Sequence, residues 1–221
     1  MKNLDGPRFG PGSGPGSGKP AKQLVVLCHG LGADGQDLID LATIWCHALP
    51  DAAFVAPDAP EACDLSPFGR QWFSVGDRSP PMREAGVRAA AAALNQFLDA
   101  ELARLNLPPD AYALMGFSQG AMTVLFTGLR RPVAPRAILA YSGGLIAPET
   151  LASEISHRPP VLLVHGEDDP VVLPSHSTEA AEALVALGVP VDLNFRPFLE
   201  HGIDDTGIEL GAAALRKGFS A

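Results

Sequence analysis

The segment "AYALMGFSQGAM", residues 111–122, joins an apolar run to the start of a second apolar pattern through Gly116-Phe117-Ser118-Gln119-Gly120. The short run before the serine is typical of a buried strand, and residues 118–130 follow a helical pattern. A serine on a tight strand-to-helix turn needs small neighbours, which Gly116 and Gly120 supply. The segment therefore predicts a strand–turn–helix unit with Ser118 above the edge of a sheet.

The same alternation extends in both directions from this unit. Apolar runs that predict strands lie at 23–28, 52–57, 111–116, 137–141, 160–166 and 191–198. Helical patterns lie at 35–48, 84–105, 118–130, 149–156, 175–187 and 206–217. Most of the strand runs are continuously apolar, which indicates strands covered on both faces. The chain is thus predicted to be α/β, with a mostly parallel central sheet, helices on both faces and no cap domain.

Length and composition favour one folded domain. The chain has 221 residues, of which 47% are hydrophobic and 19% charged, enough to form a substantial core. Residues 1–20 contain "GPRFGPGSGPGSGKP", which is too rich in Gly and Pro for a helix or a central strand. We therefore expect an irregular segment over 1–20 at the domain edge and the domain itself over 21–221.

Charge and segment composition exclude several classes of partner. The net charge is −9, from 25 acids and 16 bases without a basic cluster, so binding to nucleic acid is not expected. No long apolar stretch predicts integral membrane association, and the N-terminus lacks a signal-peptide pattern, so a cytoplasmic location is predicted. The three cysteines Cys28, Cys46 and Cys63 form no CxxC motif and are expected to be reduced, mostly buried thiols.

Candidate catalytic groups all follow the predicted strands, where ligands bind in parallel sheets. Ser118 needs a base, and six histidines are available. His201 lies in a short loop after the last strand and comes after both the serine and an acidic run, the chain order Ser, acid, His of α/β hydrolases. We therefore predict His201 as the base, with His165 supporting neighbouring loops and His29 orienting its own loop.

The acidic run lies in "LLVHGEDDPVV", residues 162–172, where a strand meets Glu167, Asp168 and Asp169. Pro170 restricts the backbone around Asp169 and so helps to hold one orientation. We predict that Asp169 orients the histidine, and that Glu167 and Asp168 face solvent or stabilise the turn.

Two backbone amides are predicted to form an oxyanion hole. The N–H of Gln119 lies at the start of the helix after Ser118, and the glycine-rich loop "HGLGADG", 29–35, can turn the N–H of Leu31 inward. The alternative for this loop is a glycine-rich turn capped by Asp34.

Taken in order, these motifs resemble the phospholipase/carboxylesterase family of small α/β hydrolases, which includes bacterial carboxylesterases and acyl-protein thioesterases. The resemblance covers nearly the whole chain, through "VVLCHGLGADGQDL", "FVAPDAPE", "GRQWFSVGDR", "LMGFSQGAM", "LAYSGGL", the "VHGEDDPVV" segment and "FLEHGI". It implies a triad of Ser118, Asp169 and His201, an oxyanion hole of Leu31 and Gln119, and a possible homodimer. Two departures, Leu173 before Pro174 and "EHGI" around the histidine, could reshape the acyl pocket.

Residues 58–83 are predicted to be mostly irregular, and long loops of this kind are often functional. Trp72 and Phe73 within it could form a wall for the substrate or pin the loop to the core. Together with Gly32, Met122 and Leu173, they are our candidates for substrate binding.

The predicted reaction is hydrolysis of carboxylic esters with short to medium acyl chains, through an acyl-enzyme and without a metal or organic cofactor. Thioesters and lysophospholipids are alternative substrates, so the main role could be that of an acyl-protein thioesterase or a lysophospholipase. Two alternatives belong to other functional classes. One is a metal-dependent hydrolase that gathers His165, Glu167, Asp168 and Asp169 around a cation. The other is a non-catalytic α/β binding protein, against which three complete catalytic groups argue.

Overall fold

A computed structural model describes residues 4–13 and 19–220, and its centre is a seven-stranded sheet. The strand order is β1-β3-β2-β6-β7-β8-β9, and every neighbouring pair is parallel except β1 with β3. The strands are β1 Arg8–Phe9, β2 Gln23–Cys28, β3 Ala52–Val55, β6 Tyr112–Phe117, β7 Ile138–Tyr141, β8 Val161–Gly166 and β9 Val191–Arg196, and the hairpin strands β4 Glu61–Ala62 and β5 Arg70–Gln71 form a separate pair.

Helices cover both faces of the sheet. Their bounds are α1 Gln36–Ile39, α2 Leu41–Trp45, α3 Pro80–Arg104, α4 Gln119–Arg130, α5 Pro148–Glu154, α6 Ser175–Ala186 and α7 Asp205–Ser220. Helices α3, α4, α5 and α6 contribute to one hydrophobic cluster, while α1, α2 and α7 contribute to the other. The structure therefore confirms the predicted α/β class and the two-sided arrangement.

Alternating side chains of the central strands enter opposite clusters. In β2, Leu24 and Val26 pack with α3 and α4, whereas Val25 and Leu27 pack towards α2 and α7. All four are fully buried. This two-sided burial explains why the strands read as continuous apolar runs, since successive side chains of a strand point to opposite faces.

All six predicted strands are present, but the ends of the elements and two details differ. The expected helix 35–48 is two short helices, α1 and α2. Helix α3 begins at Pro80 rather than at 84, because Ser79 has extended backbone at the N-cap and the two prolines occupy the first turn. Proline lacks only an N–H that a first turn leaves unpaired, and its fixed φ suits a helix start.

Two short pairings were not predicted. Strand β1 adds an antiparallel edge within the segment expected to be irregular, and β4 with β5 forms a hairpin inside the long loop. Two-residue strands carry too little periodicity to be recognised from sequence.

All three cysteines are free; Cys28 is buried, but Cys46 and Cys63 are only half-buried.

None of the helices in the described ranges combines the length and the apolar content needed to cross a membrane.

Candidate active site

The turn between β6 and α4 holds Ser118 in a strained backbone conformation. Its φ is 54° and its ψ is −117°, a region that residues with a side chain rarely adopt. A Cβ on Gly116 would lie 2.4 Å from the carbonyl of Gly120, and a Cβ on Gly120 would lie 2.0 Å from the carbonyl oxygen of Cys28. Both glycines are therefore required, because β6, α4 and the end of β2 approach too closely for any side chain there.

Asp169 is the buried member of the acidic run. Its side chain is fully buried, whereas Glu167 and Asp168 are exposed. Its Oδ1 accepts hydrogen bonds from the backbone N–H groups of Val171 at 2.8 Å and Val172 at 3.0 Å. Burial alone would raise the pKa of Asp169, but the hydrogen bond from His201 and these two amides outweigh it, so the pKa is lowered. The carboxylate is thus held charged and in one orientation.

His201 meets this carboxylate across 32 residues of sequence. The distance from its Nδ1 to Asp169 Oδ2 is 2.7 Å, and its ring packs on Phe117 with centroids 4.8 Å apart. An ionised carboxylate can only accept, so Nδ1 carries the proton and Nε2 is left as the basic nitrogen. Within the described residues, His201 makes no hydrogen bond to Ser118 Oγ, and such catalytic contacts often shorten only when substrate binds.

His165 stabilises the loop that carries Asp169. Its Nε2 lies 2.8 Å from the carbonyl oxygen of Val172 and 3.2 Å from Asp169 Oδ2, while its Nδ1 lies 2.6 Å from Ser177 Oγ. Burial lowers the pKa of His165, which favours a neutral ring. The ring therefore donates from Nε2 and accepts from the Ser177 hydroxyl, as a support for the loop.

The residues of the two predicted oxyanion donors line one cavity. Leu31, Ser118 and Gln119 all line a cavity of about 440 Å³, which we call the serine cavity. In the described part of the chain, the backbone N–H groups of Leu31 and Gln119 donate no hydrogen bond. Unpaired donors beside a nucleophile can stabilise the negative charge that develops on a carbonyl oxygen.

Several residues outside the loop 29–35 fix its shape. The N–H of Gly32 donates to the carbonyl of Arg70 at 2.8 Å, and the N–H of Gly35 donates to Asp58 Oδ1 at 2.9 Å. His29 accepts from the N–H of Ala59 at 3.0 Å, and burial lowers its pKa. His29 is therefore neutral and engaged in orienting the loop. Asp34 Oδ1 also accepts a hydrogen bond from the N–H of Gln36 at 2.9 Å, so the alternative of a glycine-rich turn capped by Asp34 describes this loop as well.

The five candidates for substrate binding separate into two groups. Phe73 and Met122 line the serine cavity, whereas Gly32, Trp72 and Leu173 are not among its lining residues. Trp72 is buried, and its Nε1 donates to the carbonyl of His29 at 2.9 Å. It therefore pins its loop to the core, while Phe73 both anchors the loop and contributes to the cavity wall.

Sequence reasoning missed the role of the Gln119 side chain and the charged wall of the cavity. Gln119 Oε1 accepts from the N–H of Trp72 at 2.8 Å, and its Nε2 donates to the carbonyl of Phe73 at 2.7 Å. Arg78 and Arg83 also line the serine cavity. A polar residue directly after the serine was a usable signal, but nothing in the sequence indicates that the arginines reach the site.

A second cavity has His201 in its wall, whereas His201 is not among the lining residues of the serine cavity. It measures about 530 Å³ and is lined by His201, Phe117, Ile203 and Ile208, with Asp37 and Asp40 among its polar residues.

Across residues 4–13 and 19–220, no group of three or more His, Cys, Asp or Glu side chains is arranged to hold a metal ion.

Comparisons with known proteins agree with the motif order. Residues 16–217 match the family model described as Phospholipase/Carboxylesterase. The chain is 32% identical to Esterase YpfH of Escherichia coli over 199 residues, which are 90% of this chain and 84% of that protein. It is 31% identical to Acyl-protein thioesterase 1 of Schizosaccharomyces pombe, over 73% of this chain and 75% of that one.

A solved structure supports the fold as well. The crystal structure of esterase PE8 superposes with a TM-score of 0.90 at 42% identity, covering 98% of this chain and 99% of PE8. The similarity therefore includes the loops at the strand ends as well as the sheet.

Proposed function

The chain belongs to the phospholipase/carboxylesterase family, and on that premise we propose that it hydrolyses carboxylic esters with Ser118 as nucleophile, His201 as base and Asp169 as orienting acid. The observation that carries the proposal is the 2.7 Å contact between His201 Nδ1 and the buried Asp169 carboxylate, near a serine held at φ 54°. Three groups distant in sequence converge at one edge of the sheet.

In the first step, Ser118 Oγ attacks the carbonyl carbon of the ester while His201 Nε2 takes its proton. Asp169 holds the imidazole in the required tautomer and stabilises its positive charge. The tetrahedral intermediate then collapses as His201 returns the proton to the leaving oxygen, or to sulfur in a thioester. A water molecule repeats the same steps on the acyl-enzyme and releases the acid.

The N–H groups of Leu31 and Gln119 stabilise the oxyanion in both steps. Two observations support this role: both residues line the serine cavity, and neither N–H is engaged elsewhere in the described chain. Losing one donor of this kind costs about 3 to 4 kcal/mol of transition-state stabilisation in other hydrolases.

Substrate range follows from the size of the serine cavity. A volume of about 440 Å³ suits a short or medium acyl chain together with part of its leaving group. Thioesters and lysophospholipids are the second candidate substrates, and the similarity to an acyl-protein thioesterase favours the thioester.

The decisive experiment is labelling with a fluorophosphonate probe together with hydrolysis of a p-nitrophenyl ester. We expect the parent to label and to turn over ester, and Ser118→Ala to lose both. Ser153→Ala is the control, because Ser153 is an exposed serine on α5 outside the serine cavity. Labelling of the Ser118→Ala variant at the parent level would overturn the mechanism.

Treatment with a chelator separates this mechanism from a metal-dependent one. A serine hydrolase keeps its activity in excess EDTA, whereas a hydrolase that uses a cation held by the 165–169 segment loses it.

Homodimerisation and a cytoplasmic location stay predictions. Size-exclusion chromatography with light scattering tests the homodimer.

A further inference from the structure

The serine cavity carries two arginines that lack acidic partners. Arg78 is exposed and Arg83 half-buried, and both line the cavity together with Ser118. Within the described residues, neither guanidinium forms an ion pair, and the one hydrogen bond of the Arg83 guanidinium goes to the sulfur of Met122, at 4.0 Å. Most other arginines are used differently: ion pairs engage Arg8, Arg88, Arg104, Arg130, Arg131, Arg136 and Arg196.

In the described chain, none of Asp64, Asp77 and Glu84 forms an ion pair with Arg78 or Arg83, and each has another hydrogen-bonding partner. Asp64 accepts from Ser74 Oγ at 2.6 Å. Asp77 accepts from the N–H of Ser79 at 2.8 Å. Glu84, next to Arg83 in sequence, is paired with Arg88 at 2.7 Å.

The cavity wall itself contains a single acid. Among the described lining residues that acid is Glu179, whose Oε2 lies 3.6 Å from Nδ1 of His176, another lining residue. Among the lining side chains alone, two arginines and one exposed glutamate give a positive balance; the carboxylate of Asp64, which bonds the lining residues Ser74 and Val75, lies outside that lining. The whole chain has a net charge of −9, so this local balance opposes the sign of the protein.

Arg83 contacts the helix that follows Ser118. It lies in the first turn of α3, and its guanidinium contacts the sulfur of Met122, which lies one helical turn after Ser118 on α4. A guanidinium in the wall of the serine cavity can bind an anionic group of a substrate held there. Arginine is suited to this because its planar donors match a carboxylate or phosphate in two parallel hydrogen bonds.

We propose that the serine cavity selects esters that carry an anionic group, a carboxylate or a phosphate, which Arg83 binds with Arg78 as a second contact. The inference rests on the proposed function, since it names the substrate class of that site. Hemiesters of dicarboxylic acids and phosphate-bearing esters share the required chemistry. The chain's own charge repels such substrates at long range, so the two arginines decide whether they bind.

The test compares two p-nitrophenyl esters of equal acyl length, the neutral pentanoate and the mono-ester of glutaric acid. The readout is the ratio of kcat/KM for the anionic ester to that for the neutral one. We expect R83Q to lower this ratio about three- to tenfold and R78Q/R83Q to lower it further, mainly through KM of the anionic ester. R216Q changes the net charge equally on α7, away from the cavity, and should leave the ratio unchanged.

Inhibition distinguishes the two sources of the anion. Glutarate and inorganic phosphate are tested separately against hydrolysis of the neutral ester, with the parent and with R83Q. Inhibition of the parent by glutarate identifies a dicarboxylic hemiester, inhibition by phosphate identifies a phosphate-bearing ester, and either supports the proposal if R83Q weakens it.

The proposal is overturned if R83Q leaves the ratio unchanged, or if R216Q shifts it as much. That failure is distinguishable from failure of the proposed function, which would appear as neutral-ester hydrolysis that survives Ser118→Ala.

Discussion

The dipeptide His-Gly occurs at the ends of two parallel strands of this protein, and the two segments are predicted to contribute to the site in opposite ways. The first His-Gly loop, residues 29–35, directly follows β2 and contributes Leu31, whose backbone N–H is the predicted oxyanion donor, to the lining of the serine cavity. The second His-Gly loop, residues 165–172, starts with the last two residues of β8 and carries Asp169, whose carboxylate contacts His201. The first loop is thus predicted to act through its backbone and the second through a side chain.

The leading histidines also differ in tautomer. His29 accepts an N–H at Nε2, so its proton is on Nδ1, whereas His165 contacts a carbonyl oxygen through Nε2 and carries its proton there. Both are buried and neutral. The shared His-Gly motif therefore accounts for a buried histidine at the end of each strand. The hydrogen-bond partners around each histidine determine its tautomer and its role.

The largest expected effect is in the second loop. Asp169→Asn should lower kcat by about 10³- to 10⁴-fold, because an amide cannot hold His201 in the reactive tautomer or stabilise its charge. Asp168→Asn is the matched control one residue away, with an exposed side chain, and should change kcat only a few-fold. Steady-state kinetics on a neutral ester measures both, and the reverse order would assign the acid to Asp168.

The first loop should respond most strongly to a change outside it. A Cβ on Gly69, whose φ is +78°, would lie 2.0 Å from the carbonyl oxygen of Gly32. Gly69→Ala should therefore displace the loop and lower kcat up to about 100-fold, which is the lower end of the range for complete loss of one oxyanion donor. Gly76→Ala is the control, since its nearest contact is 3.5 Å away. Equal activity of the two variants would show that this packing is unimportant for the amides.

The two loops should behave alike as the pH falls. Burial lowers the pKa of His29 and His165 below the usual 6.5, so below about pH 6.5 the unfolded chain binds more protons than the folded one. The contribution of these two neutral histidines to the free energy of unfolding is therefore fully present above about pH 6.5 and decreases as the pH falls below it. Urea unfolding between pH 7.5 and 5 should show this decline, and His165→Gln and His29→Gln should each make it shallower. A slope unchanged in both variants would assign the acid sensitivity to other groups.

The smallest effect is expected for Leu31→Ala. The predicted oxyanion donor is its backbone N–H, which alanine retains, so kcat should fall by less than about fivefold. Gln119→Ala also keeps its N–H but loses the side-chain bonds to Trp72 and Phe73, and it should lose more activity and some thermal stability. A larger loss for Leu31→Ala would mean that the leucine side chain itself shapes the cavity.

The fold could be predicted to a large extent because its signals are local. Strands β2, β6 and β8 are continuous apolar runs, and the glycines around Ser118 mark the tight turn. The predicted helix 84–105 starts too late because Pro80 and Pro81 do not continue its pattern, although proline is favoured in a first turn. The two-residue strands were missed because their pairing depends on partners far along the chain.

The sequence by itself determined the alternation of strands and helices and the order of serine, acid and histidine, because periodicity and turn chemistry act between near neighbours. Only the tertiary structure decided that Asp169 also bonds the amides of Val171 and Val172, that His29 and His165 adopt opposite tautomers, and that Arg78 and Arg83 line the serine cavity. These outcomes depend on burial and hydrogen-bond partners, which exist only after the elements pack.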